Sequence, residues 1–268
     1  MSEPNYEDLK DALAAAAPVD FPSVEALKSR SGAFAMMFQR LFEKAGIAPR
    51  GVIHLGGHIG NDLAAWMLLG IKSLLLVEPN PKLFRELQRN IQFVQLVSST
   101  LDSLLDLKPT AVHAVQLAIG DRVGTVELTV PEANSEFGSV LGERLEHAGD
   151  RAAAARYIVE MKPLDALMAD LRGSSAASDY NVLYMNIEGA ELMALRGATR
   201  TLEHVDFVYL EANTKQNYPD NPTPEQIAAF LDDHGFRLGF QIAGGPPDTV
   251  YCAFWRPRGP SAKDHVSS

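Results

Sequence analysis

The stretch VIHLGGHIGNDLAAWMLLGIKSLLLVEPNP, residues 52–81, decides the fold. Val52 to Leu55 is a short apolar strand, Gly56-Gly57-His58-Ile59-Gly60 is a glycine-rich turn, and a helix follows through Leu69. Ser73 to Glu78 is a second strand, apolar throughout like strands buried in parallel sheets. Asn80 then caps a new helix with Pro81 at its first position. The Asn oxygen accepts from early helix N–H groups, and the proline ring already holds a helical φ. Strand, turn, helix, strand, helix opens a parallel, doubly wound α/β sheet.

The pattern continues outward. A third strand is expected over Val112 to Ile119, a fourth over Asn181 to Ile187, and a helix directly after it over Glu188 to Thr199. A fifth strand is expected over Val205 to Leu210, and Thr223 with Gln226 forms a capping box ahead of a helix that Gly235 ends. Two strands near Phe236–Gln241 and Thr249–Trp255 close a seven-stranded, Rossmann-like sheet. Residues 124–162 read as strand pieces joined by a polar insertion. Ahead of the sheet, residues 1–50 form an N-terminal helical extension: one helix over Asn5 to Ala17, and another over about Ser23 to Ala45. Phe34, Met37, Phe38, Leu41 and Phe42 make the apolar face of the second, and the pair covers an open edge or serves as a lid. The main domain is expected over 51–258, with a disordered tail over 259–268.

Composition sets the outer limits. The 268 residues carry 34 acidic and 24 basic side chains, a formal charge of −10, and one cysteine, Cys252. A single cysteine excludes an internal disulfide framework and points to a reducing cytoplasm. An acidic chain repels phosphate backbones, which argues against nucleic acid as a partner. The start MSEPNYEDLK lacks a signal-peptide pattern, and the most apolar stretch, Ala64 to Val77, is interrupted by Gly70, Lys72 and Ser73. No membrane partner is expected.

In doubly wound sheets ligands bind beyond the carboxyl ends of the strands, where the strand order reverses. There the glycine loop lets a ligand approach the helix N-terminus. Glu78 lies 22 residues after Gly56, where a carboxylate can accept both hydroxyls of a ribose. His58 and Asn61 stand at the second and third glycine positions of G-x-G-x-x-G, so a pyrophosphate would be crowded. A nucleoside bearing a cationic sulfonium and an amino-acid tail, S-adenosylmethionine, fits better.

With LAIGD, KPLDAL, LYMNIEGAELMALRGA and FVYLEANTKQNY following in order, the chain resembles FkbM-type methyltransferases over about residues 50–240. MNIEGAELMALRGA and VEPNP are the most specific pieces. The resemblance implies the class I methyltransferase fold, S-adenosylmethionine as cofactor, and transfer to hydroxyl oxygens of sugars and other natural-product scaffolds. It implies that Gly56, Gly57, His58 and Gly60 line the amino-acid and sulfonium end, that Glu78 holds the ribose, and that Pro79, Asn80, Leu117 and Ala118 flank the adenine. The family often has Asp where His54 ends the first strand, and usually Asp at the position of Asn186, the last of the candidate cofactor contacts.

A hydroxyl is a weak nucleophile near neutral pH, so a base or a metal must assist. Glu188 and Glu191 are the carboxylate candidates; their bland alternative is interaction with the helix dipole, about 0.3–1 kcal/mol. His58 is the imidazole candidate, as a base or a cofactor contact. Asn186, Glu211 and Asn213 could hold Mg2+ at adjacent strand ends. Tyr218 and the segment Phe137 to Leu141 are candidate acceptor elements, His147 is a more distant one, and Trp66 reads as core. The expected partner is a small-molecule or oligosaccharide acceptor, with a second copy of the chain (a homodimer) as a further candidate. Two other readings stay open: a nicotinamide-dependent oxidoreductase, and a methyltransferase-like binding module weakened by Asn186.

Overall fold

A computed structural model describes residues 24–100, 110–132, 137–145, 154–171, 177–244 and 248–257. The helix expected over Asn5 to Ala17, His147 and the tail after 258 lie outside these residues. In chain order the strands are β1 (Gly51–Leu55), β2 (Ser73–Val77), β3 (Ala111–Val115), β4 (Ala118–Ile119), β5 (Gly124–Pro131), β6 (Ala154–Lys162), β7 (Val182–Met185), β8 (Phe207–Asn213), β9 (Arg237–Ala243) and β10 (Thr249–Trp255). The helices are α1 (Val24–Ala45), α2 (Leu63–Leu68), α3 (Pro81–Thr100), α4 (Leu164–Asp170), α5 (Glu191–Arg196), α6 (Thr199–Leu202) and α7 (Pro224–Asp233).

Seven strands form the main sheet in the order β3-β2-β1-β7-β8-β10-β9. The first five run parallel, and β10 is antiparallel to both its neighbours. The order reverses between β1 and β7, which opens a crevice at their carboxyl ends. Alternation along the strands splits the core into two layers. In β8, Phe207 and Tyr209 face α1 to α3, and Val208, Leu210 and Ala212 face α4, α5 and α7. Helix α1 seals the first layer with fully buried Phe38, whose ring centroid lies 4.9 Å from both Trp66 and Tyr209.

The caps form as the sequence requires. Asn80 Oδ1 accepts from the N–H groups of Lys82 at 3.0 Å and Leu83 at 3.4 Å, and Thr223 and Gln226 cap α7 reciprocally.

Three expected boundaries differ. The strand expected over Val112 to Ile119 breaks after Val115. Ala118–Ile119 leaves the main sheet to pair parallel with β6 in a three-stranded sheet, β4-β6-β5, with its own small core around Leu128, Val159 and Met161. The helix expected from Glu188 starts at Glu191, because Glu188 (φ 53°) and Gly189 (φ 95°) adopt left-handed conformations that no right-handed helix accepts. Strand β8 runs on to Asn213, since β10 pairs with it that far.

Candidate active site

The glycine loop is held from three sides. Gly56 and Gly57 donate backbone N–H bonds to Val77 O at 2.9 and 3.0 Å, and Asn90 Nδ2 donates to Ile59 O at 2.7 Å, tying the loop to α3. Gly56 takes φ 82° and passes so close to β7 that a Cβ there would sit 1.9 Å from Asn186 O. The loop's other fixed partner is Glu78. Its Oε2 accepts the His58 N–H and its Oε1 the Asn80 N–H, each at 2.8 Å. Burial pushes this carboxyl up to about 7, opposed by the two N–H bonds. Each oxygen has acceptor capacity for two bonds, so ligand hydroxyls can add to this clamp.

The strand ends enclose a cleft of about 720 Å3, within the range of about 300–1,000 Å3 common for small-molecule sites. Gly56, Gly57, His58, Glu78, Pro79, Asn80, Leu117, Ala118, Asn186, Glu188 and Glu211 all line it, so most of the expected site residues come together. Three stand apart from the lining. Gly60 faces α3, where an added Cβ would meet Leu87 at 2.9 Å. Glu191 is buried under the turn, accepting the Ile187 N–H at 3.2 Å. Burial, with Glu188's charge adding to it, pushes its carboxyl up to about 8, so it keeps its proton at neutral pH. Asn213 is buried, and its Oδ1 accepts from Asn217 Nδ2 at 2.7 Å.

Of the three side chains expected to hold Mg2+, Asn186 and Glu211 line the cleft and Asn213 does not. Asn213 is committed to Asn217, and Glu211 accepts from the Thr249 and Tyr251 side chains. No group of three or more His, Cys, Asp and Glu side chains among the described residues could hold a metal. Asn186 does face the cleft, and its buried Oδ1 has no hydrogen-bond partner among the described residues.

Glu188 is the best-placed carboxylate. It lines the cleft at the end of β7, and its Oε2 accepts the Tyr218 hydroxyl proton at 2.7 Å. Tyr218 is itself fully buried, so its ring offers no face to an acceptor. In the expected segment Phe137 to Leu141, Phe137, Gly138 and Val140 line the cleft. His54 is buried on β1 with Nδ1 accepting from Trp66 Nε1 at 3.3 Å. Burial lowers it to about 3, so it stays neutral.

Sequence reasoning missed the second half of the cleft. Phe34 and Met37 of α1, Tyr184, Tyr209 and Tyr251 on the sheet, and Phe240 and Ile242 of β9 line it. The tyrosines stack in a row across β7, β8 and β10, with centroids 5.5 and 5.9 Å apart. Strand alternation carried the signal: Tyr184 lies two residues before Asn186, and Tyr209 two before Glu211, each pair on one face. Asp62 also lines the cleft, so its charged side chains are Asp62, Glu78, Glu188 and Glu211. Neither Lys nor Arg lines it among the described residues.

This strand order, with one antiparallel strand near the edge and a cleft at the switch point, defines a class I methyltransferase. The methyltransferase FkbM domain model matches residues 54–238, and the chain belongs to that family, whose members draw their methyl group from S-adenosylmethionine. No curated protein sequence matches the chain. Among solved structures it is similar to a magnesium protoporphyrin IX methyltransferase from Synechocystis PCC 6803 with bound SAH, at 7% identity and TM-score 0.45 over 96% of this chain and 90% of that one. It is also similar to a ribosomal protein L11 methylase from Lactobacillus delbrueckii subsp. bulgaricus, at 13% identity and TM-score 0.41 over 85% and 79%. Likenesses this distant carry no information about the acceptor. Among the described residues no helix is long and apolar enough to cross a membrane.

Proposed function

We propose that the protein is an S-adenosylmethionine-dependent O-methyltransferase acting on a hydroxyl of a sugar, oligosaccharide or glycosylated natural product. One observation carries the reading: a single cleft joins the Glu78 clamp to a second carboxylate, Glu188, on the facing strand end. The exclusively acidic charges around it suit a sulfonium and disfavour the pyrophosphate of a nicotinamide dinucleotide.

When bound, S-adenosylmethionine supplies an electrophilic methyl group for in-line attack by an oxygen. Glu78 holds the ribose hydroxyls. Gly56, Gly57 and His58 line the amino-acid end, while Pro79, Asn80, Leu117 and Ala118 flank the base. Asn186 Oδ1 accepts a hydrogen bond from cofactor or acceptor. Glu188 takes the hydroxyl proton as the C–O bond forms and the C–S bond breaks. The acceptor lies on the tyrosine row beneath Phe34. The rings stack on one another, which covers the faces between them, so the acceptor is held by hydrogen bonds more than by ring stacking. None of these steps needs Mg2+.

S-adenosylhomocysteine at 100 times its dissociation constant should raise stability by about 2.7 kcal/mol. A shift with NADH and none with S-adenosylhomocysteine would overturn the reading. Radiolabel transfer to a saccharide panel identifies the acceptor. Turnover should be unchanged by EDTA; loss restored by Mg2+ would return the metal to the mechanism.

Glu78 makes cofactor binding pH-dependent. Burial raises its folded carboxyl to about 7, above the ordinary glutamate value of 4.5. The native state therefore holds a proton that the unfolded chain releases, and this group's contribution to stability falls as pH rises across that window. Ribose hydroxyls donate to the ionised form, so binding expels the proton and affinity rises with pH up to about 7. Calorimetry at pH 6.5 in buffers of different ionisation enthalpy should show proton release on S-adenosylhomocysteine binding, absent in Glu78→Gln. Equal proton release in that variant would refute the assignment.

A further inference from the structure

We propose that Tyr218 is a positioning residue, its hydroxyl fixing the Glu188 carboxylate at the cleft while Ser139 of the insertion fixes the Glu188 backbone. The inference rests on the reading of Glu188 as the base and adds what holds that base in place.

The turn at Glu188 is conformationally costly and is held by groups far away in the chain. A left-handed φ of 53° disfavours any residue with a Cβ, and it persists only where the surroundings impose it. Two elements impose it here. Ser139 Oγ donates to Glu188 O at 2.7 Å, and Ser139 is itself locked to β5 by two 3.0 Å backbone bonds with Thr129. From the other side comes Tyr218, in the loop between β8 and α7. Its N–H donates to Asn221 Oδ1 at 2.9 Å, and Asn221 Nδ2 is bonded in turn to the Lys215 and Pro222 carbonyls. The closeness of the contact leaves no slack: a Cβ on Gly189 would meet Asn221 at 3.0 Å and both Leu141 and Tyr218 at 3.2 Å.

The chemistry of the bond is as specific as its geometry. At 2.7 Å, from a phenol to a carboxylate, it has the length of a charge-assisted hydrogen bond. Burial, reinforced by the Glu188 charge, raises the phenol far above its ordinary range, so it remains a donor at every working pH. Among the described residues, Arg144 of the insertion and Glu191 beneath the turn also act on Tyr218, the first lowering and the second raising its phenol. Donation to a carboxylate favours its ionised form, the form a proton acceptor needs. Ser139 adds no charge and acts on the backbone alone. The 124–162 insertion thus helps to position the Glu188 turn through Ser139.

The test is a 13C NMR titration of glutamate side-chain carboxyls in the S-adenosylhomocysteine complex. The Glu188 resonance is assigned by its loss in Glu188→Gln, and retained cofactor binding shows that each variant is folded. Tyr218→Phe should raise the Glu188 midpoint by about one pH unit, a roughly tenfold rise in proton affinity. An unchanged midpoint overturns the positioning role. Methyl transfer to the saccharide panel keeps the two ideas apart. Full transfer by Glu188→Gln defeats the base reading, whatever the titration shows, whereas an inactive Glu188→Gln with an unmoved midpoint in Tyr218→Phe defeats only the present inference.

Discussion

Gly56→Ala is expected to cost about 3 kcal/mol or more of folding stability and to weaken S-adenosylhomocysteine binding by roughly tenfold or more. Two independent penalties act at this position. Its φ of 82° disfavours any side chain, by about 1–3 kcal/mol. The new Cβ would also lie 1.9 Å from Asn186 O and 3.3 Å from Ile187 Cγ2. The first obstacle is backbone at the end of β7 and cannot rotate away, so β1 and β7 must part. That separation moves the glycine loop relative to Glu78, whose carboxylate holds the His58 N–H. Gly124→Ala is the control. An added Cβ meets nothing within 4 Å there, so stability should stay within about 0.5 kcal/mol. Urea denaturation and calorimetric titration of both variants decide it. A Gly56→Ala protein within about 1 kcal/mol of wild type would disprove the close approach.

Phe38→Ala should cost about 3–5 kcal/mol, the range for deleting a fully buried aromatic ring. Phe38 is the hub of the first core layer, with centroids 4.6 Å from Phe34, 4.9 Å from Trp66 and Tyr209, and 5.9 Å from Tyr184. Removing it leaves a cavity that α1 can fill only by sinking toward the sheet. Met36, one turn face away and 59% exposed, should tolerate alanine within about 0.5 kcal/mol. Phe38 also touches two of the three tyrosines beneath the acceptor half. Its loss should therefore raise the acceptor KM more than it alters cofactor affinity, because the Glu78 clamp sits on β2. Equal losses at both ends would contradict this division of the cleft.

The start of the sheet was legible because each signal was local. Glycines mark the turn after β1, a continuous apolar run marks β2, and Asn80 with Pro81 marks the start of α3. What stayed hidden depends on distant partners. Nothing within VHAVQLAI announces a break; it arises because β6, more than forty residues later, claims Ala118 and Ile119. The Glu188 turn reads as a helix start because Glu-Gly-Ala-Glu has acidic residues in the right places. Its left-handed conformation is imposed by Ser139 and Tyr218, which are 49 and 30 residues away. Gly189 was the one local clue. Asn213 stays out of the cleft lining, and the hydrogen bond it accepts from Asn217 is another contact that strand position alone does not foretell. The tyrosine row carries no local mark of a site, because aromatic residues on strands ordinarily pack in the core, and Tyr184 and Tyr209 are indeed buried.

The four carboxylates of the cleft, with no Lys or Arg beside them among the described residues, bear on turnover as well as on recognition. Methyl transfer turns a sulfonium into a neutral thioether, so one positive charge disappears from beside Asp62, Glu188 and Glu211. The attraction that favours the incoming cofactor is absent for the outgoing one. The spent cofactor should accordingly bind more weakly than the incoming one, and added salt should narrow the difference in affinity between the two.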